Sequence, residues 1–94
     1  MTKATFYFDE NVPYGFLISG HSGFAESGED IVCASVSSVA YMVANTITEI
    51  LKVNAKIKVN DGMMRLIVNK EQRHITKDIL LGLKLHLEGL EEQY

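Results

Sequence analysis

The stretch Asp30 to Lys52, DIVCASVSSVAYMVANTITEILK, decides how this chain folds. Val32, Val36, Val39, Val43, Ile47 and Ile50 recur every three or four residues, which draws one apolar stripe along a long helix. Asp30 stands where its carboxylate would cap the first free backbone N–H groups, and the stripe predicts a helix running to about Lys52. Ala34, Ser35, Ser37, Ser38 and Ala40 lie beside the stripe, and such small side chains predict close packing of that face against a sheet or a second helix.

On the N-terminal side, Thr2 to Phe8 alternates, with Ala4, Phe6 and Phe8 on one face, and predicts a half-buried strand. Asn11-Val12-Pro13-Tyr14-Gly15 is turn chemistry, and Phe16 to Ser19 reads as the returning strand. Gly20 to Gly28 is rich in Gly, Ser and Glu, has no apolar period, and predicts an exposed mobile loop. Beyond the helix, Ala55, Ile57 and Val59 alternate with Lys56 and Lys58, a strand with one solvated face. Asn60-Asp61-Gly62 signals a hairpin, with Met63 to Asn69 as the partner strand. Ile75, Ile79, Leu80, Leu83, Leu87 and Leu90 predict a second helix from about His74 to Glu92. The order strand-strand-helix-strand-strand-helix describes an α+β fold, two helices packed on a mainly antiparallel sheet, in a single domain spanning residues 1–94.

Bulk composition narrows the function classes. With 94 residues, 47% of them hydrophobic and 22% charged, the chain is a globular domain with a thin core. A second copy would add burial, so a homodimer is expected. The net charge of −3 comes without any run of Lys and Arg, which argues against direct nucleic-acid binding and for a basic peptide or protein as partner. One cysteine excludes an internal disulfide, and Met1 to Thr5 lacks the features of a signal peptide. No apolar run approaches the roughly 20 residues that span a bilayer. The expectation is a cytoplasmic protein with a reduced thiol and no membrane association.

Cys33 and His21 are the residues that invite chemistry. With Asp30 as N-cap, Cys33 is the third helical residue, in the first turn, where the helix end favours a thiolate. His21 follows a strand and precedes a loop long enough to fold back to that turn. An imidazole there would take the thiol proton and later deliver it to a leaving amine. Backbone N–H groups around Cys33 and Ala34 would then face a developing oxyanion. The pattern alone leaves a second reading open, in which Cys33 is a small core residue and His21 merely ends a strand.

Gly20-His21-Ser22, a glycine-containing loop, and Asp30-Ile31-Val32-Cys33-Ala34-Ser35-Val36-Ser37 opening a helix together resemble the bacterial ribosomal-processing cysteine protease family, Prp. The resemblance covers Gly20 to about Ser38 and is specific, because the histidine step, the Asp and the Cys-Ala-Ser helix start coincide. It implies a small, commonly dimeric α+β protease with His21 and Cys33 as the catalytic pair. Its implied substrate is the precursor of the large-subunit ribosomal protein numbered twenty-seven, which loses a short N-terminal extension by cleavage after aromatic residues. Ser22 stands where many members carry Ala, a departure that bears on loop packing more than on chemistry.

Asp30 and Ala34 take supporting places, Asp30 either as a helix cap or as the group that orients His21. Gly20, Ser22, Glu26 and Glu29 are the expected substrate-binding residues, with the two glutamates facing the basic side of a ribosomal precursor. His74 and His86 have no metal-ligand spacing, Met63-Met64 reads as packing, and no phosphate loop is present, so neither metal nor cofactor is expected. Two other functions stay open on the residues: a non-catalytic ribosome-assembly factor that binds a basic ribosomal protein, and a redox sensor built on one thiol.

Overall fold

The computed structural model describes residues 3–19, 27–60 and 62–93, with side chains described for 3–19, 34–60 and 62–91. Strands β1 (Lys3–Asp9) and β2 (Val12–Ser19) precede helix α1 (Ser27–Asn45), strands β3 (Ala55–Asn60) and β4 (Met63–Val68) follow it, and helix α2 (Arg73–Gln93) ends the fold. The strands form one sheet in the order β1-β2-β4-β3, antiparallel throughout. This is the expected α+β arrangement, with both helices on one face of the sheet.

The first hairpin turns earlier than its sequence suggests. Glu10 and Asn11 occupy the turn at φ 49° and 71°, the pair of positive values that a tight two-residue hairpin requires. The segment Asn11 to Gly15 is therefore not the turn, and β2 begins at Val12. Pro13 is tolerated inside the strand because its cross-strand partner is Phe8 alone; pairing with β4 starts only at Gly15. Tyr14 is the extra residue where the register shifts between Tyr7 and Phe8. Phe8, expected on the buried face, lies past that bulge and is 42% exposed. Gly15 is fixed by crowding, since a Cβ there would collide with the Leu66 carbonyl oxygen of the neighbouring strand.

Helix α1 buries Val36, Ala40, Val43 and Ala44, and a π turn over Thr46–Ile50 continues it. The Leu51 N–H donates to the Thr46 carbonyl at 2.8 Å, one residue further back than in an α-helix. That wider turn keeps Ile47 in the core but swings Ile50 out to 74% exposure, so Val53 closes the core in its place. Ala34 and Ser38 are exposed, and of the small residues beside the stripe only Ala40 is tightly packed.

Helix α2 lies across β2 and against α1. Leu80 and Leu83 are buried as expected, but Ile75 is 43% exposed and Thr76 takes the buried place, its hydroxyl donating to the Arg73 carbonyl at 3.4 Å. Phe16, Ile18, Met64, Leu66 and Val68 supply the sheet side of the core. β3 is an edge strand beyond the cover of the helices. Ile57 and Val59 point to the core side there yet stay 42% and 48% exposed.

Candidate active site

β2 brings the chain to one end of the sheet. Its last residue, Ser19, is paired with Lys3 on one side and Met63 on the other. Gly20, His21, Ser22 and Glu26 follow this end and lie outside the described residues, as does most of the expected loop. The chain re-enters at Ser27, already helical.

The helix start changes the geometry expected of Cys33. α1 opens at Ser27, so Asp30 is its fourth residue rather than its N-cap, and Cys33 is its seventh, in the second turn. Helix-end electrostatics fade within the first turn. In a helix from Ser27, the N–H groups of Cys33 and Ala34 face the carbonyls of Glu29 and Asp30. They are thus spent on the helix ladder rather than free for an oxyanion. A sequence signal for the earlier start existed: Ser27-Gly28-Glu29-Asp30 has the Ser-x-x-Asp spacing of a capping box before an apolar run. The Asp30 and Cys33 side chains lie outside the described set.

One turn further on, the outer side of α1 is open. Ala34, Ser35, Ser38, Val39 and Met42 line a shallow, open groove of about 510 Å³, and His86 of α2 lines it with them. His86, read from sequence as uninvolved, is exposed but brought beside the helix that carries Cys33, whereas His74, also exposed, sits near the start of α2. The link between Ala34 and His86 joins residues 52 positions apart in sequence, so periodicity gave no signal for it. Among the described residues no group of three or more His, Cys, Asp or Glu is placed to hold a metal ion, and no helix is long and apolar enough to cross a membrane.

A four-stranded antiparallel sheet backed on one face by two helices, with a lone cysteine near the start of the first, makes this a small α+β protein with one thiol. The model of the cysteine protease Prp family matches residues 1–94, and the chain belongs to that family. It is similar to the essential ribosomal processing protease Prp from S. aureus in complex with a substrate peptide (23% identity, TM-score 0.89), covering 100% of this chain and 92% of that one. The same S. aureus protease with a covalently linked product peptide is similar at 26% identity and TM-score 0.84, with 100% and 92% covered. SMU.848 from Streptococcus mutans is similar in fold at 21% identity and TM-score 0.87, with 99% and 88% covered. No curated protein matches the chain.

Proposed function

We propose that this cysteine protease removes the short N-terminal extension of the precursor of large-subunit ribosomal protein twenty-seven, cutting after aromatic residues, with Cys33 as nucleophile and His21 as general base. One observation carries the nucleophile: the chain belongs to a cysteine protease family and contains a single cysteine. Cys33 Sγ attacks the scissile carbonyl carbon while His21 accepts the thiol proton. The proton then passes to the leaving amine as the C–N bond breaks. Water hydrolyses the resulting thioester, releasing the carboxylate product and restoring the thiol. The covalently linked product peptide of the S. aureus relative supports such a route.

His21 lies two positions after Ser19, the last residue of β2, and six before Ser27, where α1 opens, so it belongs to the connection between the two elements. Asp30 supports it by orienting the imidazole. Ala34 adjoins the nucleophile and supports it as a small residue, its N–H remaining on the helix ladder. Gly20 and Ser22 shape the entry to the site, and Glu26 and Glu29 attract the basic flank of the precursor. The chain is one domain, active in the cytoplasm as a homodimer, and works without metal or cofactor.

Mass spectrometry of a synthetic precursor peptide incubated with the protein tests this reading. A single cut after the aromatic residues is expected, and replacing those aromatics by Ala should lower kcat/KM severely. Each buried ring is worth roughly 1.5–3 kcal/mol of positioning energy. Equal cleavage of both peptides would leave a protease without the proposed pocket. Binding of the intact precursor with no cleavage would favour the assembly-factor reading.

A further inference from the structure

The cations of this acidic chain are scattered in sequence, but the sheet gathers four of them on one surface. Its outer face, away from the helices, carries Lys3, Lys56, Lys58 and Arg65, which alternate with the core-facing residues of their strands. The strand register sets Thr5, Leu17, Arg65 and Lys58 in one row across all four strands. Tyr7, Gly15, Ile67 and Lys56 form the next row. Lys58 and Arg65 are thus direct cross-strand partners, a like-charge juxtaposition that weakens a sheet in isolation. None of the four cations is ion-paired among the described residues, and Asp9, the one acid of the strands, is engaged by Arg73 at 3.4 Å.

Aromatic rings lie on the same face. Tyr7 and Tyr14 stack with centroids 5.9 Å apart and planes 26° from parallel. The Arg65 guanidinium carbon is 5.8 Å from the Tyr7 ring centre, and that of Arg73 is 3.9 Å from the Tyr14 ring centre. Neighbouring strands are separated by about 4.8 Å, so the cations span a track roughly 14 Å wide from β1 to β3.

We propose that this outer sheet face is a docking surface for single-stranded nucleic acid, with Lys3, Lys56, Lys58 and Arg65 on the phosphates and Tyr7 as a stacking platform. A polyanion offsets the repulsion between Lys58 and Arg65, and a half-buried tyrosine pair beside cations suits unpaired bases. A second copy of the chain fits poorly, because it would bring the same four cations against themselves. The surface lies on the side of the sheet opposite the helices and is independent of the catalytic assignment. Its consequence for a ribosomal processing protease is a tether that leaves the peptide site free.

The test is fluorescence anisotropy with labelled oligouridylate and oligodeoxythymidylate of about twelve nucleotides, titrated with the full chain. Four phosphate contacts predict a log–log salt slope near −3, or about a 50-fold loss of affinity between about 50 and 200 mM salt. The Lys58→Gln, Arg65→Gln double variant should lose about half of that slope while cleaving peptide at the unaltered rate. Tyr7→Leu should weaken binding at least about fivefold with the slope retained. Preference for one probe identifies RNA or DNA as the source of the strand. Absence of salt-dependent binding, or unchanged binding by the double variant, overturns the proposal and leaves the lysines as guards of an edge strand. Equal competition by polyglutamate overturns it in favour of an acidic protein.

Discussion

Cys33 is the proposed nucleophile, and its replacement separates chemistry from folding cleanly. Cys33→Ala changes little volume, so cleavage should be abolished while the thermal transition stays close to that of the native chain. Peptide hydrolysis and a melting curve on the same sample check both. His21→Ala should cost about 10²–10⁴-fold in kcat/KM. His86→Ala is the informative control, since His86 lines the groove beside Ala34 of α1. Retained activity in His86→Ala, with loss in His21→Ala, assigns the base. The reverse result would move it to the groove between the helices. His21 could be singled out from its neighbours in sequence, whereas the placement of His86 needed the packing of α2 on α1.

At the scale of elements, α1 and α2 show where periodicity succeeds and where it fails. The stripe Val36, Val43, Ile47 is buried as its spacing requires, but the π turn rotates Ile50 into solvent. Regular spacing assumes constant rotation per residue, and an i→i−5 bond breaks that assumption. α2 carries Gly82 on its exposed side, with nothing within 4 Å of where a Cβ would stand. Gly82→Ala should therefore stabilise the protein by about 1 kcal/mol through helix propensity alone, raising Tm by roughly 4–8 °C in a domain of this size. Gly15→Ala should do the opposite, because its Cβ meets the Leu66 backbone, which cannot yield without parting β2 from β4. Paired thermal melts of the two variants decide between propensity and packing.

Considered as a whole molecule, the protein has one core, shared by the inner sheet face and two helices, and several apolar residues outside it. Leu80 is completely buried at the centre of that core. Leu80→Ala should cost about 2–5 kcal/mol, a large share of the roughly 5–14 kcal/mol expected for a chain this long. Urea unfolding would measure it as a lowered midpoint with little change in slope. Tyr41, Met42, Ile50 and Leu51 are 47%, 53%, 74% and 38% exposed along the back of α1 and its π turn. They form one apolar surface available to the proposed homodimer. Light scattering at micromolar concentration should give twice the chain mass, and Ile50→Glu together with Met42→Glu should give the single mass. A native chain that scatters as a monomer removes the dimer and leaves the catalytic assignment untouched.

The sequence by itself determined the order of elements and the α+β class, and it put the lone cysteine on the first helix, though one turn too close to its start. These are local matters: a period of two or of three to four, a turn dipeptide and a single thiol are all written in contiguous residues. It misplaced the first turn by attending to Pro13 and Gly15, whose meanings are long-range. Pro13 is admitted by the absence of a β4 partner, and Gly15 is demanded by the approach of Leu66. Only the tertiary structure decided that Ile57 and Val59 stay half-exposed on an edge strand, and that His86 comes to lie beside Ala34. It also decided that Lys3, Lys56, Lys58 and Arg65 share one face. Charges dispersed along a chain become a surface only when strand pairing brings distant residues within about 5 Å, and no local pattern records which strands will pair.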